Sequence, residues 1–205
     1  MINFKSLVNQ LDPFTKSIIG LNLIVYIVSV FKNHTSALTG LSQNQMLQTF
    51  GMSGDNGIIP IITSMFSHAS LMHFILNMLT LALLSPIVMQ HFSLSSYIIT
   101  YFASGISGNL MTKWIDPSMV TMGASGAIYG IMGMLVVAVI SSNFVQYFNG
   151  LESMTSIILI IIGVNMFSTF ANPHINLIAH LSGFSIGGIA TVSYTHLTLP
   201  TICSV

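Results

Sequence analysis

Residues 123–141 read GASGAIYGIMGMLVVAVIS, an apolar run that opens with a serine between two glycines and carries no charge. A membrane-spanning helix needs about 20 mostly apolar residues, and this run is typical of one. Ser125 falls at its start, where the first N–H groups of a helix lack an internal partner and the helix dipole favours negative charge. Such surroundings suit a nucleophile, although an ordinary helix cap is the alternative interpretation of Ser125 taken alone.

The rest of the chain shares this shortage of charge. Of its 205 residues, 53% are hydrophobic and only 4% are charged, whereas a soluble domain carries roughly 25% charged residues. Charges fall between the apolar runs, because a charge at mid-membrane costs about 2.5–3.5 kcal/mol on an insertion scale. We therefore expect an all-α, multi-pass membrane protein with six transmembrane helices. They are expected near residues 17–31, 71–90, 94–111, 124–141, 154–171 and 175–191.

The expected organisation is one membrane domain over residues 1–191. Lys5 and Lys16 precede the first apolar run, and by the positive-inside rule they put residues 1–15 in the cytoplasm as a short segment. Residues 33–63 then form an outer loop, which either is solvated or lies partly in the membrane interface. A bacterial plasma membrane is the expected location.

Residues 192–205 differ from what precedes them, because the apolar character ends abruptly. This stretch resembles the conceptual translation of a transposon-derived sequencing adapter. We expect a non-native tail, excluded from fold reasoning, with a natural polar tail as the alternative. In either case the sixth helix is expected to be cut short. The single cysteine, Cys203, lies in this tail, so no internal disulfide is possible.

A histidine in the sixth apolar run complements the serine. Both runs carry two glycines four residues apart, a spacing that lets helix backbones approach closely in lipid. These pairs are Gly126/Gly130 and Gly183/Gly187. If the two faces pack together, Ser125 and His180 lie near the same end of both helices. A serine and a histidine are the minimum equipment for nucleophilic attack on a carbonyl.

A third polar cluster opens the second apolar run. His73 and Asn77 are four residues apart and therefore share one helix face, with Ser70 as a candidate cap. Two N–H donors on one face could stabilise an oxyanion. His68, in the preceding turn, is either part of this group or a structural histidine bonded to loop backbone.

Two other classes of function fit poorly. A zinc site could draw on His68, His73, His174 and His180, but the spacing is not that of a metalloprotease helix and no carboxylate is near. We expect no metal and no cofactor. The formal net charge is zero and there is no arginine, so nucleic acid is not an expected partner.

The three motifs together resemble the rhomboid family of intramembrane serine proteases. Gly123–Gly126 with Tyr129 is similar to the family's Gly-x-Ser-Gly motif, and Ala179–Gly183 is similar to its histidine helix. His68, His73 and Asn77 match its His-x₄-His-x₃-Asn signature. The resemblance covers residues from about 15 to 191.

The resemblance implies a six-helix bundle with a water-filled cavity. It implies a catalytic dyad of Ser125 and His180 without an acidic third member, with Tyr129 stacked on the histidine. An oxyanion hole is implied from His73, Asn77 and the backbone N–H of Ser125. Gly123, Gly126 and His68 are implied supporting residues. The implied substrates are transmembrane helices of other proteins in the lipid bilayer.

Two departures from the family pattern leave a second possibility. Ile59-Pro60 stand where the family often has Trp-Arg, and residues 85–93 lack its Gly-x₃-Glu-x₃-Gly pattern. The alternative is therefore a catalytically weak or inactive rhomboid-like protein that binds transmembrane helices. A small transporter would predict symmetry between two halves of the sequence, which is not visible. The sequence makes no prediction of oligomeric state.

Overall fold

The computed structural model of the chain describes residues 8–140, 152–172 and 175–198. Within those residues the regular elements are helical, and the one strand-like feature is an isolated antiparallel bridge between Met52 and Thr121. The expectation of an all-α protein is confirmed for this part of the chain.

The helices are numbered here in chain order. They are α1 Pro13–Asn33, α2 Thr35–Thr39, α3 Gln43–Gln48, α4 Ile59–Thr63, α5 Leu71–His91, α6 Leu94–Ile115, α7 Ser125–Ile140, α8 Glu152–Ala171 and α9 Leu177–Thr198, with a 3₁₀ turn at Ser64–Phe66 between α4 and α5.

The six long helices α1 and α5–α9 fall where the apolar runs predict them. The largest difference is at the end of α9, which continues to Thr198 rather than stopping near residue 191. No glycine or proline interrupts residues 192–198, so the backbone can continue the helix there despite its polar side chains. The proposed domain boundary at residue 191 stays a prediction.

Two of these helices are long and apolar enough to cross a membrane, namely Pro13–Asn33 and Leu71–His91. Shorter apolar helical segments of 10–17 residues occupy Ser125–Ile140, Leu159–Ala171 and Leu177–Val192. The helices are therefore of membrane type, and the count of six spans stays a prediction.

Short polar residues cap the helices that carry the site. The N-cap of α5 is Ser70, whose hydroxyl accepts from the backbone N–H of His73 at 3.2 Å. In α9, the Asn176 side chain accepts from the backbone N–H of Ala179 at 2.9 Å. Each cap satisfies an N–H group that lacks a partner inside the helix and is typically worth about 1 kcal/mol.

Helix α7 is the centre of the bundle and packs chiefly against α9 and α6. A Cβ added at Gly183 or at Gly187 would overlap the carbonyl oxygen of Gly126 or Gly130, respectively. The two glycine pairs therefore face one another, as the spacing predicts, and the backbones of α7 and α9 touch directly. This contact fixes the relative height of Ser125 on α7 and His180 on α9.

The segment between α1 and α5 packs on the bundle without forming a long helix. Ala37 and Met52 are fully buried, whereas Ile58 and Ile59 are 77% and 73% exposed. Outward-facing isoleucines favour the second interpretation of this loop, in which part of it lies in a membrane interface.

Candidate active site

Ser125 is the first residue of α7, and the turn before it depends on glycine. Gly123 has φ 128°, a left-handed conformation that residues with a Cβ rarely adopt. Its N–H donates to the carbonyl of Ser64 at 2.9 Å. Asn109 on α6 holds that same 3₁₀ turn, because its amide donates to the Ser64 hydroxyl at 3.0 Å and to the Ile61 carbonyl at 2.7 Å. The turn that presents Ser125 is thus bonded to the 3₁₀ turn, and Asn109 of α6 in turn holds the 3₁₀ turn.

His180 meets the serine hydroxyl. Its Nε2 lies 2.8 Å from Ser125 Oγ, and its side chain is only 6% exposed. The ring stacks on Tyr129, with centroids 4.0 Å apart and planes at 13°. The structure therefore brings together the serine, the histidine and the tyrosine that the sequence singled out.

Thr169 on α8 is a contact that the sequence reasoning missed. Its Oγ1 lies 2.8 Å from Nδ1 of His180, on the side of the ring away from the serine, and 2.5 Å from the hydroxyl of Tyr129. A signal for it existed in the sequence. Asn165, Ser168, Thr169 and Asn172 recur at helical spacing in an otherwise apolar run, which marks a polar face turned toward the protein interior.

His73 and Asn77 approach the same turn from α5. A Cβ built on Gly123 would lie 2.8 Å from His73 Nε2 and 3.6 Å from Asn77 Nδ2. Both nitrogens therefore border the backbone two residues before Ser125. The Asn77 side-chain nitrogen is buried and has no hydrogen-bond acceptor within the described residues, so it is available as a donor.

His68 lies next to this group. It is fully buried, and its ring packs edge-on against His73 and Phe74 with centroids 5.1 and 5.5 Å apart. Neither ring nitrogen has a hydrogen-bond partner among the residues described. Burial lowers the pKa of His68 well below its usual range, and the neighbouring His73 lowers it further. The contacts of His68 among the described residues are therefore packing contacts of its ring, and its role as a supporting residue stays a prediction.

An open cavity of about 420 Å³ reaches these side chains from one end of the bundle. Its polar lining includes His73, Asn77, Ser125, Thr169 and His180. Its apolar lining includes Met72 and Leu76 of α5, the helix that also carries His73 and Asn77. The cavity therefore combines hydrogen-bonding groups with apolar surface.

Among the described residues, no group of three or more His, Cys, Asp or Glu side chains could hold an ion. His174, one of the four histidines in the zinc alternative, lies outside those residues.

The two departures from the family pattern are located on α4 and at the end of α5 with the turn that follows it. Ile59 and Pro60 form the start of α4. The loop before α4 is held by Lys113, whose ammonium donates to the carbonyls of Ser53, Gly54 and Gly57. A lysine and backbone carbonyls thus position this loop without a Trp-Arg pair. At the α5–α6 turn, Ser93 caps α6 by accepting from Ser96 N–H at 3.1 Å.

Comparisons with known proteins agree with this architecture. A family model described as the rhomboid domain matches residues 55–196. The chain is 28% identical over 134 residues to "Rhomboid-like protease 3" of Toxoplasma gondii, covering 65% of this chain and 50% of that protein. It is 30% identical over 128 residues to "Putative rhomboid protease YdcA" of Bacillus subtilis (strain 168), covering 62% of each. Identity to "RHOMBOID-like protein 1" of Arabidopsis thaliana is 29% over 127 residues, covering 62% of this chain and 32% of that protein.

The matched region thus spans from about a third to under two thirds of the length of these relatives. They come from a plant, from Toxoplasma and from a bacterium, so a bacterial location for this chain stays a prediction. The family match covers well over half of the chain and contains the histidines, the serine and the glycine pairs described above. This chain belongs to the rhomboid family, whose members are integral membrane proteins.

Proposed function

We propose that this chain is an intramembrane serine protease that hydrolyses peptide bonds in or near transmembrane helices of other membrane proteins. The observation that carries the proposal is the 2.8 Å contact between Ser125 Oγ and His180 Nε2. That distance suits proton transfer from the hydroxyl to the imidazole as the oxygen attacks a carbonyl.

Acylation follows from this pair. Ser125 Oγ forms a bond to the carbonyl carbon of the substrate while His180 Nε2 accepts the hydroxyl proton. The resulting imidazolium then gives that proton to the leaving amine, and the peptide C–N bond breaks. Water hydrolyses the acyl-enzyme by the same proton transfers in reverse order, which restores the serine.

The oxyanion that forms in each step needs donors arranged in advance. His73, Asn77 and the backbone N–H of Ser125 are the proposed donors. The first two border the Gly123 backbone, and the third belongs to the first residue of a helix, where N–H groups are free and the dipole favours negative charge. Loss of one such donor costs roughly 10²–10³ in kcat in a soluble serine protease.

The cavity limits which part of a substrate can react. Ser125 and His180 line a cavity of about 420 Å³, so the scissile bond has to enter that cavity to reach them. A peptide bond in an intact helix is also shielded by its own hydrogen bonding. We therefore propose that the substrate segment unwinds before cleavage, which favours small or helix-breaking residues near the scissile bond.

Cleavage of a transmembrane model substrate tests the proposal. The unmodified chain in detergent should cut the substrate, whereas Ser125→Ala and His180→Ala should lose activity to background. Ser17→Ala, which removes an exposed hydroxyl on α1, is the matched control and should retain activity. Cleavage by Ser125→Ala at the parental rate would refute the proposal.

A fluorophosphonate probe separates the protease from the alternative, a rhomboid-like protein that binds transmembrane helices without cutting them. Only an activated Ser125 should become labelled. A chain that binds the model helix but is neither labelled nor able to cleave would support the alternative.

A further inference from the structure

We propose that Thr169 is a positioning residue that fixes the tautomer of His180, so that Nε2 is free to accept the serine proton. The catalytic consequence rests on the proposed protease function, whereas the tautomer itself does not. Thr169 Oγ1 lies 2.8 Å from His180 Nδ1, on the side of the ring opposite Ser125.

The hydrogen-bonding capacity of the threonine decides the direction of that bond. A hydroxyl has one hydrogen to donate and can accept two hydrogen bonds. Thr169 Oγ1 lies 3.1 Å from the Asn165 carbonyl, which can only accept, and 2.5 Å from the Tyr129 hydroxyl. If the threonine donates to that carbonyl, its oxygen must accept from both Tyr129 and His180.

His180 then carries its hydrogen on Nδ1. The other ring nitrogen, Nε2, presents its lone pair to Ser125 Oγ at 2.8 Å, which is the arrangement a general base requires. With the opposite tautomer, Nε2 would carry the hydrogen and could not accept the serine proton. The Asn165 carbonyl would then also lose its bond from the threonine hydroxyl, because that hydrogen would be needed at Nδ1.

The same contact assists the reaction itself. When Ser125 transfers its proton, His180 becomes an imidazolium with an N–H on each side. The Nδ1–H bond to Thr169 then becomes charge-assisted and stronger. Both side chains are largely shielded from solvent, with 5% of Thr169 and 6% of His180 exposed. A neutral hydroxyl orients the ring as a carboxylate does in soluble triads, without placing a second charge in an apolar interior.

Two substitutions separate the hydroxyl from the shape of the side chain. Thr169→Val keeps the branched shape and removes the hydroxyl, whereas Thr169→Ser keeps the hydroxyl. We expect Thr169→Val to lower kcat and the rate of fluorophosphonate labelling about 10- to 100-fold, the range for a hydrogen bond to a charged group, with KM within about threefold. Thr169→Ser should recover most of that loss.

A matched control shows whether the effect belongs to this position. Thr39 is exposed and donates from its hydroxyl to the carbonyl four residues earlier, as Thr169 does. Thr39→Val should therefore leave kcat unchanged. Parental kcat in Thr169→Val, or equal losses in Thr169→Val and Thr169→Ser, would overturn the proposal.

The tautomer can be measured without any activity. In protein labelled with ¹⁵N-histidine, ring nitrogen shifts distinguish a protonated nitrogen from a bare one, and His180→Asn assigns the signals. We expect Nδ1–H in the parent and a shift of population toward Nε2–H in Thr169→Val. Nε2–H in the parent, or no change in Thr169→Val, would refute the positioning role. Absence of cleavage and labelling in the parent would instead refute the protease function, and the NMR result would still decide the role of Thr169.

Discussion

The rings of Tyr129 and His180 lie face to face, with centroids 4.0 Å apart and planes at 13°. Tyr129 thus contacts the histidine directly through its ring and indirectly through its hydroxyl. The hydroxyl lies 2.5 Å from Thr169 Oγ1, which itself lies 2.8 Å from Nδ1 of His180. The contributions of the ring and of the hydroxyl can be separated by mutation.

The first prediction concerns these two contacts. Tyr129→Phe keeps the stacked ring and removes the hydroxyl, whereas Tyr129→Leu removes both. A stacked pair is worth about 0.5–1.5 kcal/mol, and a neutral hydrogen bond is worth about the same. We expect kcat/KM to fall a few-fold in Tyr129→Phe and about tenfold or more in Tyr129→Leu. Equal kcat/KM in the two variants would show that stacking does not hold the ring.

The second prediction concerns Gly123, which has φ 128° beside the His73 ring. In Gly123→Ala the new Cβ would lie 2.7 Å from His73 Cε1, and the backbone strain costs about 1–3 kcal/mol. We expect a lower thermal midpoint and a loss of cleavage to near background. Gly20→Ala is the control, since nothing lies within 4 Å of its added Cβ. Cleavage by Gly123→Ala at the parental rate would contradict the close approach of His73.

The third prediction concerns the backbone contact between α7 and α9. A Cβ at Gly187 would overlap the Gly130 carbonyl oxygen, so Gly187→Ala must push the helices apart. Overpacking of this kind costs about 1–3 kcal/mol. Thermal unfolding in detergent should show that loss, together with weaker fluorophosphonate labelling. Gly163→Ala, which has open space around its Cβ, should unfold at or above the parental temperature. A parental midpoint for Gly187→Ala would argue against the contact.

The fourth prediction concerns Lys113, which holds the loop before α4 through the carbonyls of Ser53, Gly54 and Gly57. Lys113→Met keeps much of the side-chain length but removes the ammonium and its hydrogen bonds. Limited proteolysis should cut this loop faster, and the thermal midpoint should fall. Lys16→Met, at an exposed position on α1, should change neither. Equal proteolysis rates in both variants would show that another contact holds the loop.

The fifth prediction concerns pH. Burial lowers the pKa of His68 in the folded chain, whereas in the unfolded chain it is about 6.5. Below that pH the unfolded state binds a proton at this histidine and the folded state does not, so the free energy of unfolding falls as pH decreases. The contribution of this group is at most about 1.4 kcal/mol per pH unit. Above about pH 7.5, where the unfolded state is largely deprotonated as well, the group contributes almost no slope.

Unfolding at several pH values measures this dependence. His68→Gln should flatten the decline between pH 6.5 and 5, whereas His34→Gln, at an exposed position, should leave it as in the parent. An unchanged slope in His68→Gln would show that His68 is not the group responsible.

Sequence periodicity and charge spacing were sufficient to place the long helices, and the glycine spacing was sufficient to predict that α7 and α9 touch. The meeting of Ser125 and His180 followed from those glycines, because each residue lies shortly before the first glycine of its pair, and close packing of the two helices through these glycines brings both residues to the same end. Thr169 could not be found in this way. Its partner nitrogen is on another helix, and a threonine in an apolar helix usually bonds its own backbone, as Thr169 also does.

The loop before α4 was harder to predict for a different reason. Lys113 acts there through backbone carbonyls. Every residue type has a backbone carbonyl, so the identities of Ser53, Gly54 and Gly57 do not reveal this contact. The end of α9 differed because polarity predicts exposure better than it predicts where a helix stops. Helix propagation needs only residues that tolerate helical backbone angles, and residues 192–198 do.

Because α7 and α9 meet through glycine and carbonyl atoms, backbone packing sets the relative position of Ser125 and His180 more than side-chain rotamers do. Under the proposed protease function, lining positions such as Met72 and Leu76 on α5 can therefore be varied to change cleavage preference while Ser125 and His180 keep their distance. Variation at the glycines should instead abolish cleavage in most variants.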